Sequence, residues 1–99
     1  MISQKNREMY PMIGEYKQVD SFEDAHYTVW DKWDYEIIHY EADAKYGSHT
    51  FYSAYTKAVV IDRGNEHVYE EEWLGETAHS DRDRWVNDMI NKIKYGTRR

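Results

Sequence analysis

The sequence predicts an α+β domain: an antiparallel sheet of about four strands with a C-terminal helix packed on one face. Three observations carry this expectation. The stretch "SHTFYSAYTKAVVI", rich in Thr, Tyr, Phe and Val, runs into the turn chemistry of Asp62, Arg63, Gly64 and Asn65, as in a hairpin. The segment after the turn alternates, with His67, Tyr69, Glu71 and Trp73 on one face and Val68, Glu70, Glu72 and Leu74 on the other. The last stretch, "SDRDRWVNDMINKIKYG", has the period of a helix instead.

Taken in chain order, a helix begun at Ser3 has to stop at Tyr10-Pro11, because the residue before proline is pushed out of the helical region. "SFEDAH" can form one helical turn, since Ser21 and Asp24 make a capping box. The next segment admits two readings. As strands, "HYTVW" and "WDYEIIHY" flank an Asp31–Lys32 turn, with Trp33, Tyr35, Ile37 and His39 on one face and Asp34, Glu36, Ile38 and Tyr40 on the other. As a long helix over 21–46, the stripe is Phe22, His26, Val29, Trp33, Ile37, Tyr40 and Ala44, capped by Asp20 or Ser21 and ended by Gly47. The aromatic and β-branched content favours the strands. Gly47 and Ser48 supply the following turn, and a strand starts near His49.

The final helix is expected over 81–95, with Ser80 as N-cap and Asp83 three residues on. Asp81 and Asp83 suit the positive end of its dipole, and Lys92 and Lys94 the negative end. Val86, Met89, Ile90 and Ile93 form the apolar stripe, flanked by Trp85. Arg84 with Asp88, and Asp88 with Lys92, are spaced for ion pairs, and Gly96 suits the residue just past a helix end.

Residues 1–99 are expected to form a single small acidic domain with a radius of gyration of about 13 Å if compact. With no cysteine there is no disulfide framework, thiolate zinc site or cysteine nucleophile. The N-terminal stretch lacks the apolar core of a secretory signal, and no run approaches the roughly 20 apolar residues that span a bilayer. A soluble, cytoplasmic protein without membrane contact is therefore expected. Ten tyrosines and four tryptophans stand against one leucine and two phenylalanines, so rings must fill much of the core and also serve interfaces.

The net charge of −6 is laid down in blocks. Residues 20–43 hold eight acids against Lys32, and residues 62–83 hold eight against Arg63 and Arg82. The last sixteen residues reverse the sign with Arg84, Lys92, Lys94, Arg98 and Arg99 against Asp88. Such a balance disfavours direct nucleic-acid binding, which draws on Lys and Arg. Tyr52, Tyr55 and Tyr69 with "KIKYGTRR" are the best stacking-and-phosphate arrangement available, but acids share their strands. His79, Asp81 and Asp83 are close in sequence, yet the helix N-terminus accounts for the aspartates, and no metal or other cofactor is expected. His39 and His67 would meet only if their strands were neighbours. No G-x-S-x-G, phosphate-cradling glycine loop or H-E-x-x-H occurs, and nineteen acids offer carboxylate pairs by chance alone, so no enzymatic activity is expected.

What remains is a carboxylate-studded surface with rings among the charges, made by Asp31, Asp34 and Glu36 with Glu70, Glu71, Glu72 and Trp73. It complements a basic groove, because carboxylates pair with arginines and rings stack on guanidinium planes. The expected role is a non-enzymatic inhibitor of a basic, nucleic-acid-handling protein such as a nuclease. In general character the chain resembles the small acidic anti-defence proteins of phages, anti-CRISPR proteins among them, and the immunity proteins of nuclease toxins; that resemblance implies a host-cytoplasmic antagonist that mimics DNA charge. The alternative is a structural or assembly protein, a homodimer or larger homo-oligomer joined through its aromatic residues.

Overall fold

The computed structural model describes residues 1–96. A short helix, α1 (Gln4–Met9), precedes four strands, β1 (Met12–Tyr27), β2 (Lys32–Tyr46), β3 (His49–Asp62) and β4 (His67–Leu74). Helix α2 (Ala78–Asn91) follows and runs into a wider π-type turn over Lys92–Gly96. The strands form one antiparallel sheet in the order β1-β2-β3-β4. This is the α+β architecture the sequence predicts, and the hairpin over residues 49–74 falls where the turn residues place it.

Register explains the core. Tyr35 lies opposite Asp62, Ile37 opposite Val60 and His39 opposite Ala58, while Val60 faces Tyr69 and Thr56 faces Trp73. Side chains two apart along a strand share a face. Tyr35, Ile37, Ala58 and Val60 therefore form one buried layer, closed by Val86 and Ile93 from the helical side. Trp33, Tyr69, Trp73 and Trp85 pack around it, so four rings do the work that leucines usually do. Trp73 and Trp85 meet edge to face at 5.6 Å. A smaller second core sits on the opposite face towards one end, where Ile2, Ala42, Ala44 and Tyr55 are buried against Tyr10, Met12 and Leu74.

Several expectations are corrected. The long helix over 21–46 is replaced by the β1–β2 hairpin. "SFEDAH" is strand rather than a helical turn; Asp24 Oδ1 accepts the N–H of Ala25 instead of capping. Helix α2 begins at Ala78, with Ser80 inside it: Ser80 Oγ donates to the Thr77 carbonyl, and Thr77 Oγ1 donates to Asp81. Gly75, at φ +121°, turns the chain sharply out of β4, and burial of Ala78 adds a turn ahead of the expected start. Arg84 reaches Asp81 at 3.6 Å, three residues back. Gly96 belongs to the π-type turn and does not adopt positive φ. His39 and His67 do not meet, because β3 lies between their strands. Arg98 and Arg99, part of the basic block, lie outside the described residues.

The sheet is long. Strands of 14 to 16 residues carry β1, β2 and β3 to principal extents of 57 × 22 × 20 Å, and the radius of gyration is 15.9 Å. That exceeds the value of about 13 Å for a compact chain of this length. Helix α2 covers only part of such a sheet. Outside that area and the small second core, much of the sheet surface is left to solvent, as is most of the β1–β2 hairpin beyond the last β3 residue.

Candidate functional site

The hairpin end of β1 and β2 is built from local bonds. Residues Thr28–Asp31 close the loop: the Thr28 N–H and hydroxyl both donate to the Asp31 carbonyl, at 2.8 and 2.7 Å, and the Asp31 N–H donates back to Thr28 Oγ1 at 2.9 Å. Val29 and Trp30 stand between those anchors with 91% and 93% of their surfaces exposed. Beneath the loop, His26 stacks on Trp33 with ring centres 5.3 Å apart, and Lys94 lies 4.4 Å over the Trp33 ring. The hairpin tip is thus tied to the helical layer, and its backbone presents an unburied indole in a fixed frame.

This end is also acidic. Residues 20–36 hold six carboxylates, Asp20, Glu23, Asp24, Asp31, Asp34 and Glu36. The bases of this end are Lys32 in the same segment and Arg63 from the β3–β4 turn. Arg63 is gripped by Glu23 at 2.7 Å, Glu36 at 2.9 Å and Asp34 at 3.3 Å. Those bonds hold its guanidinium protonated well above the usual arginine range, the Glu23 bond foremost. Tyr27 donates to Asp34 at 2.7 Å, which raises the phenol above its ordinary value. Asp20 Oδ1 accepts from Nδ1 of His39 at 2.7 Å, and the other ring nitrogen of His39 is buried without a partner among the described residues.

The face of the sheet away from α2 continues this surface. Glu36 lies opposite Ile61, and Glu70 opposite Val59. Two strand spacings and two residues of rise put Glu36 and Glu70 about 12 Å apart. Ile38, Val59 and Ile61 lie between them, half-buried. Further along, Glu72 takes bonds from Arg7 at 2.5 Å and Tyr16 at 2.7 Å, and Lys57 sits 3.8 Å from Glu70. Partial burial works against the charge on Glu72, but the bonds from Tyr16 and Arg7 win and hold its carboxyl below the usual range. The same site pushes the Tyr16 phenol far up, through burial first and then through Glu72.

Of the residues singled out from sequence, Asp34, Glu36, Glu70 and Glu72 share the open face, and Asp31 lies at the hairpin tip. Glu71 and Trp73 project on the other side, Glu71 to within 3.5 Å of the N-terminal amine and Trp73 into the ring cluster under α2. The patch does collect carboxylates from two distant segments. Arg63, Lys57 and Arg7 neutralise much of it; Arg63 stands within the second acidic block, whereas Lys57 and Arg7 come from β3 and α1, outside both blocks. Trp30 was missed as a site residue. Its signal is positional: it sits beside Asp31 in the turn, where no strand neighbour covers it.

The tyrosines proposed as a base-stacking platform are dispersed: Tyr55 is buried in the small core, Tyr69 packs under α2, and Tyr52 is exposed. Among the described residues, no cluster of three or more His, Asp or Glu is placed to hold a metal ion, and no helix is long and apolar enough to cross a membrane. No family model, characterised protein or solved structure matches the chain.

Proposed function

We propose that the protein is a non-enzymatic binding protein whose acidic, tryptophan-tipped β1–β2 hairpin docks on a basic protein, such as a nuclease or another nucleic-acid-handling protein, and blocks its nucleic-acid-binding groove. The observation that carries this reading is the exposure of Trp30 and Val29 on a hydrogen-bonded turn in a segment with six carboxylates. A free indole at a rigid tip is the type of anchor that dominates interface energetics, and pre-ordering removes part of the cost of binding. The surrounding carboxylates steer a positively charged partner to that tip. The open face, with Ile38, Val59 and Ile61 rimmed by Glu36 and Glu70, extends the same surface and has the apolar-centre, polar-rim make-up of an interface. The elongated, negatively charged shape suits a groove made for a nucleic-acid strand or duplex.

The test is binding of purified basic nucleases and nucleic-acid-binding proteins at low and high salt. Wild type is expected to bind at least one of them in competition with nucleic acid. Trp30→Ala is expected to weaken that binding by about tenfold or more, in line with the loss of a central aromatic anchor. Binding that is indifferent to both salt and Trp30→Ala contradicts the proposal.

A second reading, self-assembly through aromatics, is favoured by the exposed rings of Tyr46, Phe51 and Tyr52 at the far end of the sheet. A salt-resistant dimer by mass in solution, lost on Tyr52→Ala, supports it over the first.

A further inference from the structure

We infer that the cleft at the far end of the sheet is a binding site for a small organic cation, a substituted ammonium with an apolar body. The cleft has a volume of about 570 Å³ and forms where the end of α1, β3 and the β4–α2 connection meet. That size is ordinary for a ligand site. Tyr10, Phe51 and Tyr52 supply aromatic walls, with Tyr10 and Phe51 edge to face at 6.3 Å, and Leu74 supplies apolar floor.

Two features of the backbone shape it. Between Ala42 and Ala44 the β2–β3 register slips, and Ser53 takes φ +55°, its N–H held by Asp43 Oδ1 at 2.8 Å. Gly75, at φ +121°, continues the β3–β4 pairing by donating to the Ala54 carbonyl at 3.1 Å. A non-glycine residue such as Ser53 persists in that conformation only where its surroundings hold it, and such residues concentrate at binding sites, whereas Gly75 adopts positive φ freely. Here both line one cleft.

Charge selects the ligand class. Glu76 lines the cleft and has no ion pair among the described residues, and no lysine or arginine is among the described residues that line it. His79, on the same wall, has its ring nitrogens turned to the Ser53 carbonyl at 3.3 Å and to Glu41 at 3.8 Å; Glu41 is itself shared with Arg82 at 3.8 Å. The cleft thus combines aromatic rings with one carboxylate that has no ion pair among the described residues, the combination that attracts a desolvated cation. An anionic ligand would meet Glu76 with no lysine or arginine among the described lining residues to offset it.

This inference is independent of the hairpin reading, and its test separates the two. Choline is titrated into the full chain and followed by NMR, beside the neutral isostere in which carbon replaces the ammonium nitrogen. Shifts are expected at Tyr52, Gly75 and His79, with choline about tenfold tighter than the isostere. Tyr52→Ala and Glu76→Gln, both at accessible positions, are each expected to weaken choline severalfold, while Trp30→Ala leaves it unchanged. Equal affinity for the neutral isostere, shifts confined to other parts of the molecule, or unchanged binding in both cleft variants overturns the inference.

Discussion

Glu72 joins α1, β1 and β4 through one carboxylate. It stands on β4, accepts from Arg7 of α1 and Tyr16 of β1, and so ties the first 16 residues to the sheet. Because its folded pKa is depressed, the stability it supplies is present above the ordinary glutamate pKa and is lost as pH falls through the folded value. Tyr16 and Tyr55 work in the opposite direction. Burial, with Glu72 adding to it, raises both phenols, so they favour the fold below the ordinary tyrosine pKa of about 10, and that contribution declines as pH rises beyond it. Denaturant melts across pH are expected to show wild type weakening at both extremes. Glu72→Gln should flatten the acid limb, and Tyr16→Phe should flatten the alkaline limb. Limbs of unchanged slope in both variants would place these bonds outside the stability balance. In the main core, Ile37→Ala is expected to cost about 2–4 kcal/mol, since the side chain is fully buried and enclosed by Val60 and Tyr35.

At the level of elements, the distribution of burial decides what a sequence can announce. The β3–β4 hairpin and the helical stripe Val86, Met89, Ile90 and Ile93 each bury one face against the other, so their periods are clean and both were legible. The β2 alternation was legible as well, through Trp33, Tyr35, Ile37 and His39. Most of β1 was not. It is an edge strand with one neighbour, α2 does not cover it, and two bulges, between Ile13 and Lys17 and between Gln18 and Asp20, break its alternation. Ile13, Tyr16, Val19 and Phe22 therefore recur every third residue and mimic a helical spacing. The carboxylate patch was half legible for a related reason. Alternation gave the face of Asp34, Glu36, Glu70 and Glu72, but the cations that answer them come from a turn, from the neighbouring strand and from α1. Two variants test elements directly. Gly47→Ala, at φ +60° in the β2–β3 turn with open space around its Cβ, is expected to cost about 1 kcal/mol through the backbone alone. Arg63→Ala leaves Glu23, Asp34 and Glu36 facing one another, so it should destabilise the protein at low salt, with the deficit shrinking as salt screens the repulsion. A deficit that is equal at all salt concentrations would assign Arg63 a packing role instead.

The whole molecule is a rod with different surfaces at its two ends. One end is the acidic hairpin with Trp30, and the other is the ring-lined cleft beside Tyr52. The small second core under α1 lets the sheet run past the single layer that α2 could cover, which is why the chain is longer than a compact domain of its size. Small-angle scattering is expected to give a radius of gyration near or above the 15.9 Å of the Cα trace, and a value near 13 Å would mean that the strands fold back on themselves. The central claim, that the hairpin tip is where a basic partner docks, is tested most directly by placing a photocrosslinking residue at position 30. The captured protein is then purified and its binding to the unmodified chain measured across salt. The account predicts a partner with a basic nucleic-acid-binding surface, displaced by nucleic acid and by rising salt, and bound far more weakly by Trp30→Ala. Crosslinking to a second copy of this chain alone, or to a partner whose binding ignores both salt and Trp30→Ala, would contradict it.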